Sequence, residues 1–136
     1  MNVANIQQSS ILLGVRLALA YGFYEPAIRK LGNIESVADW FSTLSIPLPS
    51  SMAHIVAGTE VLGVILLILG LFTRWISLPL SLIVIVAIIT VHLSNGFSAA
   101  DGGYEIPLYY LIFLGILSTF GAGKVSLDYF FFEKRK

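Results

Sequence analysis

Residues 51–74 read SMAHIVAGTEVLGVILLILGLFTR, an apolar run interrupted by one carboxylate, Glu60. Wound as an α-helix, about 20 apolar residues cross the hydrocarbon core of a bilayer. The run over 51–72 is therefore predicted to span, with Glu60 near the midplane. A charged side chain there costs at least about 2.5 kcal/mol on insertion scales, so it must face protein, water or a partner charge. At helical spacing Ala53, Ala57, Glu60 and Gly63 share one side, and small residues let a neighbouring helix come close enough to cover the carboxylate. The opposite side is Leu, Ile and Val, which lipid accepts.

The rest of the chain agrees with a membrane setting. Of 136 residues, 57% are hydrophobic and only 12% charged, with a mean hydropathy of +0.86, well above a soluble domain. Apolar runs at 9–28, 51–72, 75–93 and 104–121 predict an all-α integral membrane protein, a four-transmembrane-helix antiparallel bundle forming a single domain over 1–136. Eight basic residues balance eight acidic ones, which argues against nucleic acid as a partner. There is no cysteine, so disulfides, thiolate metal sites and dithiol redox chemistry are excluded. The opening MNVANIQQSS has neither the basic n-region nor the cleavage site of a secretory signal, so the first run is expected to remain as a helix. Arg74, Lys124, Lys134, Arg135 and Lys136 fall on one side of a four-span topology and only Arg29 and Lys30 on the other. This bias predicts an inner-membrane protein with both termini cytoplasmic.

Within the first span, Gly14, Ala18 and Gly22 recur every four residues, a seam for close helix packing. Arg16 lies about two turns in and shares a face with Ala20, Phe23 and Ala27. Its depth is similar to that of Glu60 to within about one side-chain length at 1.5 Å per residue, so the two are expected to pair, either as a lock between helices or as part of a working site. Glu25 stands four residues before Arg29, the spacing of a local pair. Between the first two spans, Ile34, Val37, Phe41 and Leu44 form an apolar stripe with Trp40 beside it. This predicts a short amphipathic helix over about 34–45, lying in the membrane interface and closed by Ile46-Pro47. The link LFTRW is too short for the second and third spans to be anything but neighbours. Pro79 sits in the first turn of the third span, where its missing amide costs least.

The outer end is expected to gather His54, His92, Asn95, Asp101, Glu105 and Tyr109, with Glu25 near them. Histidines with carboxylates suit a proton-coupled or metal site, yet no pair stands at i, i+3 or i+4 on one helix, so no metal is assigned. A polar pocket for a quinone head group or a small organic molecule fits better, because a quinol needs acceptors for two protons and an apolar entry from lipid. Glu105 also sits at a helix N-terminus, where the macrodipole alone favours it. At the other end Gly121 and Gly123 stop the last span, Ser126 and Asp128 resemble caps, and Tyr129 to Phe132 with the following basic residues read as an interfacial tail.

The segments LLGVRLALAYGFYEPAIRKL, GTEVLGVILLILGLFTRW, HLSNGF, GGYEIPLYYLIFL and GAGKVSLD, in this order, resemble the DoxX-type membrane proteins over nearly the whole chain. The resemblance implies a four-helix bundle associated with redox systems, among them an archaeal thiosulfate:quinone oxidoreductase and bacterial oxidative-stress complexes. Other relatives accompany the biosynthesis of metal-binding peptides. By position, Arg16, Glu60 with Gly63, Thr73-Arg74, Asn95-Gly96 and Glu105 match the family's recurring polar positions. The expected function is an accessory subunit of a membrane oxidoreductase system, offering a quinone- or substrate-facing pocket to partner proteins that supply the redox centre. The alternatives are a small proton-coupled transporter acting as a homo-oligomer, or a membrane scaffold for other proteins.

Overall fold

Helix α1 occupies Val3–Gly32 and buries the stripe Leu12, Arg16, Leu19, Ala20, Phe23 and Ala27, the face that sequence spacing assigns to Arg16. The structure is a computed structural model that describes residues 3–135, the side chain of Ala4 apart. Lys136, which enters the charge bias, lies outside the described residues, as do Met1 and Asn2. The Gly14-Ala18 seam faces away from the rest of the chain. Both residues are exposed, and a Cβ at Gly14 would touch nothing. Only Gly22, the third member, meets a neighbour.

Helix α2 (Ile34–Thr43) is the expected amphipathic helix, capped by the Asn33 side chain, which accepts from the Ser36 amide at 3.4 Å. It buries Phe41 and packs mainly on helix α3 (Pro49–Leu69). Pro49 opens α3 at its first turn, where proline loses no hydrogen bond. The buried face of α3 is Ala53, Ala57, Glu60, Gly63, Val64 and Leu67, as the spacing predicts. Leu80 of the next helix lies against Gly63 so closely that a Cβ there would collide with it.

Helix α4 (Thr73–Ala87) continues into a widened turn of π type at Ile88–His92 and a 3₁₀ turn at Leu93–Asn95. The run Ile83 to Val91 is β-branched except for Ala87, and the Thr90 hydroxyl bonds the Val86 carbonyl at 2.7 Å. Crowded β-carbons and a hydroxyl competing for a ladder carbonyl both loosen an α-helix at this point. Helix α5 covers Glu105–Phe120.

Among the described residues every regular element is helical. Three helical stretches are long and apolar enough to cross a membrane: Asn5–Gly32, Pro49–Leu69 and Thr73–Asn95. The fourth expected span is the apolar but shorter α5 of 16 residues, about 24 Å long. Leu19, Phe23, Val64, Leu67, Ile76, Leu80, Val84, Leu114 and Leu117 make one apolar core from α1, α3, α4 and α5.

Candidate functional site

The expected Arg16–Glu60 pair does not form. Glu60 is instead held by Lys30, whose Nζ donates to both carboxylate oxygens at 2.9 Å. Arg16 donates to the Leu67 carbonyl at 3.2 Å and to the Val125 carbonyl. The reason is register. Contacts match the end of α1 to the middle of α3, and the early part of α1 to the end of α3. Leu19, Phe23 and Val64 of the core cluster then fill the levels between the two charges. The two long side chains reach in different directions, Arg16 to the end of α3 and Lys30 to its centre. The interior polar line from Arg16 through Glu60 is therefore absent.

Sequence reasoning missed Lys30, although a signal for it was there. Continuing the face of Arg16, Ala20, Phe23 and Ala27 by one more turn lands on position 30. The lysine side chain is 20% exposed and that of Glu60 only 4%, so one side of the pair opens on space.

That space is a cavity of about 340 Å³, at the small end of ligand-pocket volumes. Phe23, Pro26, Ile83, Val84, Ala87, Ile106 and Pro107 give it apolar walls, and Lys30, Glu60, His92 and Tyr110 supply polar groups. The widened turn of α4 carries His92 to the wall. Such turns recur at functional sites because they re-aim side chains that a regular helix fixes. Nδ1 of His92 lies 2.8 Å from the Gly102 carbonyl. A carbonyl only accepts, so Nδ1 carries the proton and Nε2 of the neutral ring is an acceptor. Tyr110 crosses the backbone of Gly22, where any Cβ would overlap its hydroxyl, and its ring meets that of Phe23 at a tilt of 58°, 5.5 Å between centroids.

A tight loop supplies the Ala99, Gly102 and Gly103 wall. The amides of Gly103, Tyr104 and Glu105 donate to the carbonyls of Ser98, Gly96 and Phe97 at 2.8, 3.0 and 3.0 Å. Gly103 is buried against Gly96 and Phe97 so closely that no side chain fits there. Phe97 and Tyr104 close the loop edge to face at 5.5 Å.

The remaining expected site residues have other tasks. Glu105 accepts from the Ala99 amide at 3.1 Å and from the Tyr109 hydroxyl at 3.2 Å, tying the loop to α5. Asn95 donates to the Gly102 carbonyl at 3.2 Å, and Asp101 is exposed. His54 turns back to the Ser50 carbonyl at 2.8 Å. Of the six, only His92 lines the cavity. Tyr110, not Tyr109, is the tyrosine that does so. Its place on the stripe Pro107, Tyr110, Leu114 and Leu117 follows helical spacing, whereas the i, i+4 relation of Tyr109 to Glu105 drew attention to the neighbouring residue. Glu25 pairs with Arg29 at 2.5 Å, as its spacing suggests. No group of three His, Asp or Glu fit to hold a metal occurs among the described residues.

The DoxX family model matches residues 11–93, more than half of the chain. The chain belongs to the DoxX family. A Haemophilus influenzae relative, named "Uncharacterized protein", is 35% identical over 125 residues, covering 86% of this chain and 80% of its own length. A Bacillus subtilis relative, named "Putative oxidoreductase CatD", is 33% identical over 114 residues, covering 84% of this chain and 81% of its own. No solved structure matches the chain. The region matched to the DoxX model holds Arg16, Lys30, Glu60 and His92, while the Gly102 wall and Tyr110 lie beyond it.

The opposite end of this DoxX protein is sealed around Arg16, which is 1% exposed. Gly70, at φ +67°, ends α3 in the left-handed conformation that only glycine adopts freely. Without a Cβ it leaves room for the guanidinium. Arg16 therefore sits where the carbonyl end of the α3 dipole favours a cation. Asp128 performs the converse task on α4. Its two oxygens accept from the amides of Phe72 and Thr73 at 2.7 and 3.0 Å, and its own amide donates to the Gly70 carbonyl at 2.9 Å. Ser126 accepts from the Tyr129 amide at 3.1 Å, so both residues read as caps do cap.

Proposed function

We propose that this protein is an accessory subunit of a membrane oxidoreductase system that presents the Lys30–Glu60 cavity to a quinone head group or a small organic substrate. The family and the name of the Bacillus subtilis relative support an oxidoreductase association. The observation that carries the pocket is an ion pair inside apolar walls, with a histidine beside it.

The donor set fits a quinone. An ammonium has three N–H donors, and Glu60 takes two. The third is free to donate to a carbonyl oxygen of the ring. His92 Nε2 is an acceptor for a hydroxyl of the reduced form, and the apolar walls suit the ring itself. A quinol, when bound, would give up two electrons, to a partner protein that carries a redox centre, and two protons. Lys30 would orient the ring, and Glu60 would hold the lysine in place. His92 would accept a proton from the hydroxyl and pass the excess to solvent. In this reading the chain lies in the inner membrane as four spans with both termini cytoplasmic, α5 being the shortest span.

The test is quinone photolabelling or fluorescence-quench binding on protein purified gently with its partners. Lys30→Met and His92→Ala are expected to weaken binding about 10-fold, or roughly 1.4 kcal/mol. His54→Ala is expected to leave binding unchanged. Unaltered binding in both of the first two variants would remove the pocket from the function.

A further inference from the structure

We propose, on the footing that the Lys30–Glu60 cavity takes a quinone, that its ligand is the reduced form, selected by the backbone carbonyl of Gly22, which Pro26 leaves without a donor. Gly22, Pro26 and Lys30 all line the cavity and follow one another every four residues on α1, so one face of the helix forms that wall over two turns. Pro26 stands inside α1. In an α-helix each carbonyl accepts from the amide four residues on, and proline has no N–H to give. No backbone donor from outside the helix reaches Gly22 among the described residues. Pro107, also on the wall, lies in the first turn of α5, where no intrahelical partner is lost. Of the two, only the interior proline puts a free acceptor on the cavity.

The Tyr110 hydroxyl sits against the same residue, in the place that a Cβ of Gly22 would take. The neighbouring Tyr109 gives its hydroxyl to Glu105 at 3.2 Å, whereas Tyr110 lines the cavity and its hydroxyl has no protein partner among the described residues. One pole of the cavity thus offers an acceptor and a donor together. A phenolic hydroxyl uses both, donating to the Gly22 carbonyl while it accepts from Tyr110. A quinone oxygen only accepts, so it can take the tyrosine hydrogen bond but leaves the Gly22 carbonyl facing it with no proton between. Two turns along α1, about 12 Å, Lys30 makes the other pole. Its side chain leans back toward the helix N-terminus, which shortens the gap toward the span of one ring with oxygens at opposite positions and a hydrogen bond at each end.

The experiment is fluorescence-quench titration of the full chain, purified gently with its partners, with decylubiquinone and with decylubiquinol kept reduced under nitrogen. Wild type is expected to bind the quinol about 10-fold more tightly than the quinone. Pro26→Ala restores an amide donor to the Gly22 carbonyl and should bring the two affinities level by weakening the quinol alone. Tyr110→Phe, which keeps the ring, should weaken both forms by a similar factor. Quinol binding no tighter than quinone binding in wild type would overturn the selection while leaving the quinone site standing. An unchanged ratio in Pro26→Ala, with or without an equal loss of both forms, would overturn it too, since the proline then only shapes the wall. Binding of neither form by wild type would remove the quinone site itself, and the selection with it, a result distinct from the other two.

Discussion

Arg16 and Lys30 lie on one stripe of helix α1 and are both carried into the interior of the protein, yet they are neutralised by different means. Arg16 is met by backbone, the Leu67 and Val125 carbonyls, where α3 ends and the C-terminal segment folds under it. Lys30 is met by a carboxylate on the middle of α3 and keeps one edge on a cavity. A cation held by carbonyls at a helix end is fixed, because those carbonyls belong to rigid backbone and have no other partner. A cation held by a side chain, with a donor to spare, can take a further ligand. Two cations turned inward on one helix thus make a joint at one end and an opening at the other.

Breaking the joint should have the largest effect. Arg16→Met removes charge-assisted bonds worth about 1.5 to 3 kcal/mol each and leaves two carbonyls buried without a donor. A loss of about 3 kcal/mol or more is expected in denaturation of the purified protein in detergent. A loss below about 1 kcal/mol would mean that Arg16 is no more structural than Lys30, and the contrast would collapse.

Next comes Glu60→Gln, which strands the lysine ammonium. Lys30 reaches the cavity and its water, so the cost is discounted to about 2 kcal/mol from the value for a fully buried pair. The double variant Lys30→Met with Glu60→Leu should recover most of that stability, since apolar replacement of a buried pair is often neutral. It should still bind quinone about 10-fold or more weakly than wild type. Recovery of both stability and binding would show that the pair is a structural lock like Arg16.

Asp128→Ala is smaller, about 1 to 2 kcal/mol, the cost of a lost helix cap, again read by unfolding. The smallest effect on stability belongs to His92→Ala. His92 is half-buried and holds one carbonyl of a loop secured by its own amides, so about 0.5 to 1 kcal/mol is expected, alongside its 10-fold effect on binding. A stability loss in His92→Ala as large as that in Arg16→Met would make the cavity end as rigid as the other.

Local pattern carried much of this. The inward faces of α1 and α3, the amphipathic helix α2, the Glu25–Arg29 pair and the capping role of Ser126 all follow from spacing within a segment, whereas Asp128 caps a helix more than 50 residues away. Pairings between segments do not. Arg16 and Glu60 were matched by counting residues from a common membrane edge. That count assumed the helices begin at one level, whereas α1 extends from Val3 to Gly32 and slides the register. That Tyr110 lines the cavity, and that His92 alone of the two histidines does so, are decided in the same way. Each depends on how one helix is rotated and placed against another, a difference of a few ångströms that composition and periodicity do not encode.

The sequence by itself determined that this is a helical protein for a membrane and that its charges must be hidden. The cost of leaving a carboxylate or a guanidinium in lipid admits no other reading of so apolar a chain. Which cation serves Glu60, and that a cavity opens beside it, only the tertiary structure decided. Several basic residues could reach a carboxylate from a neighbouring helix, and the register of α1 on α3 brings Lys30 to Glu60 and Arg16 to the end of α3.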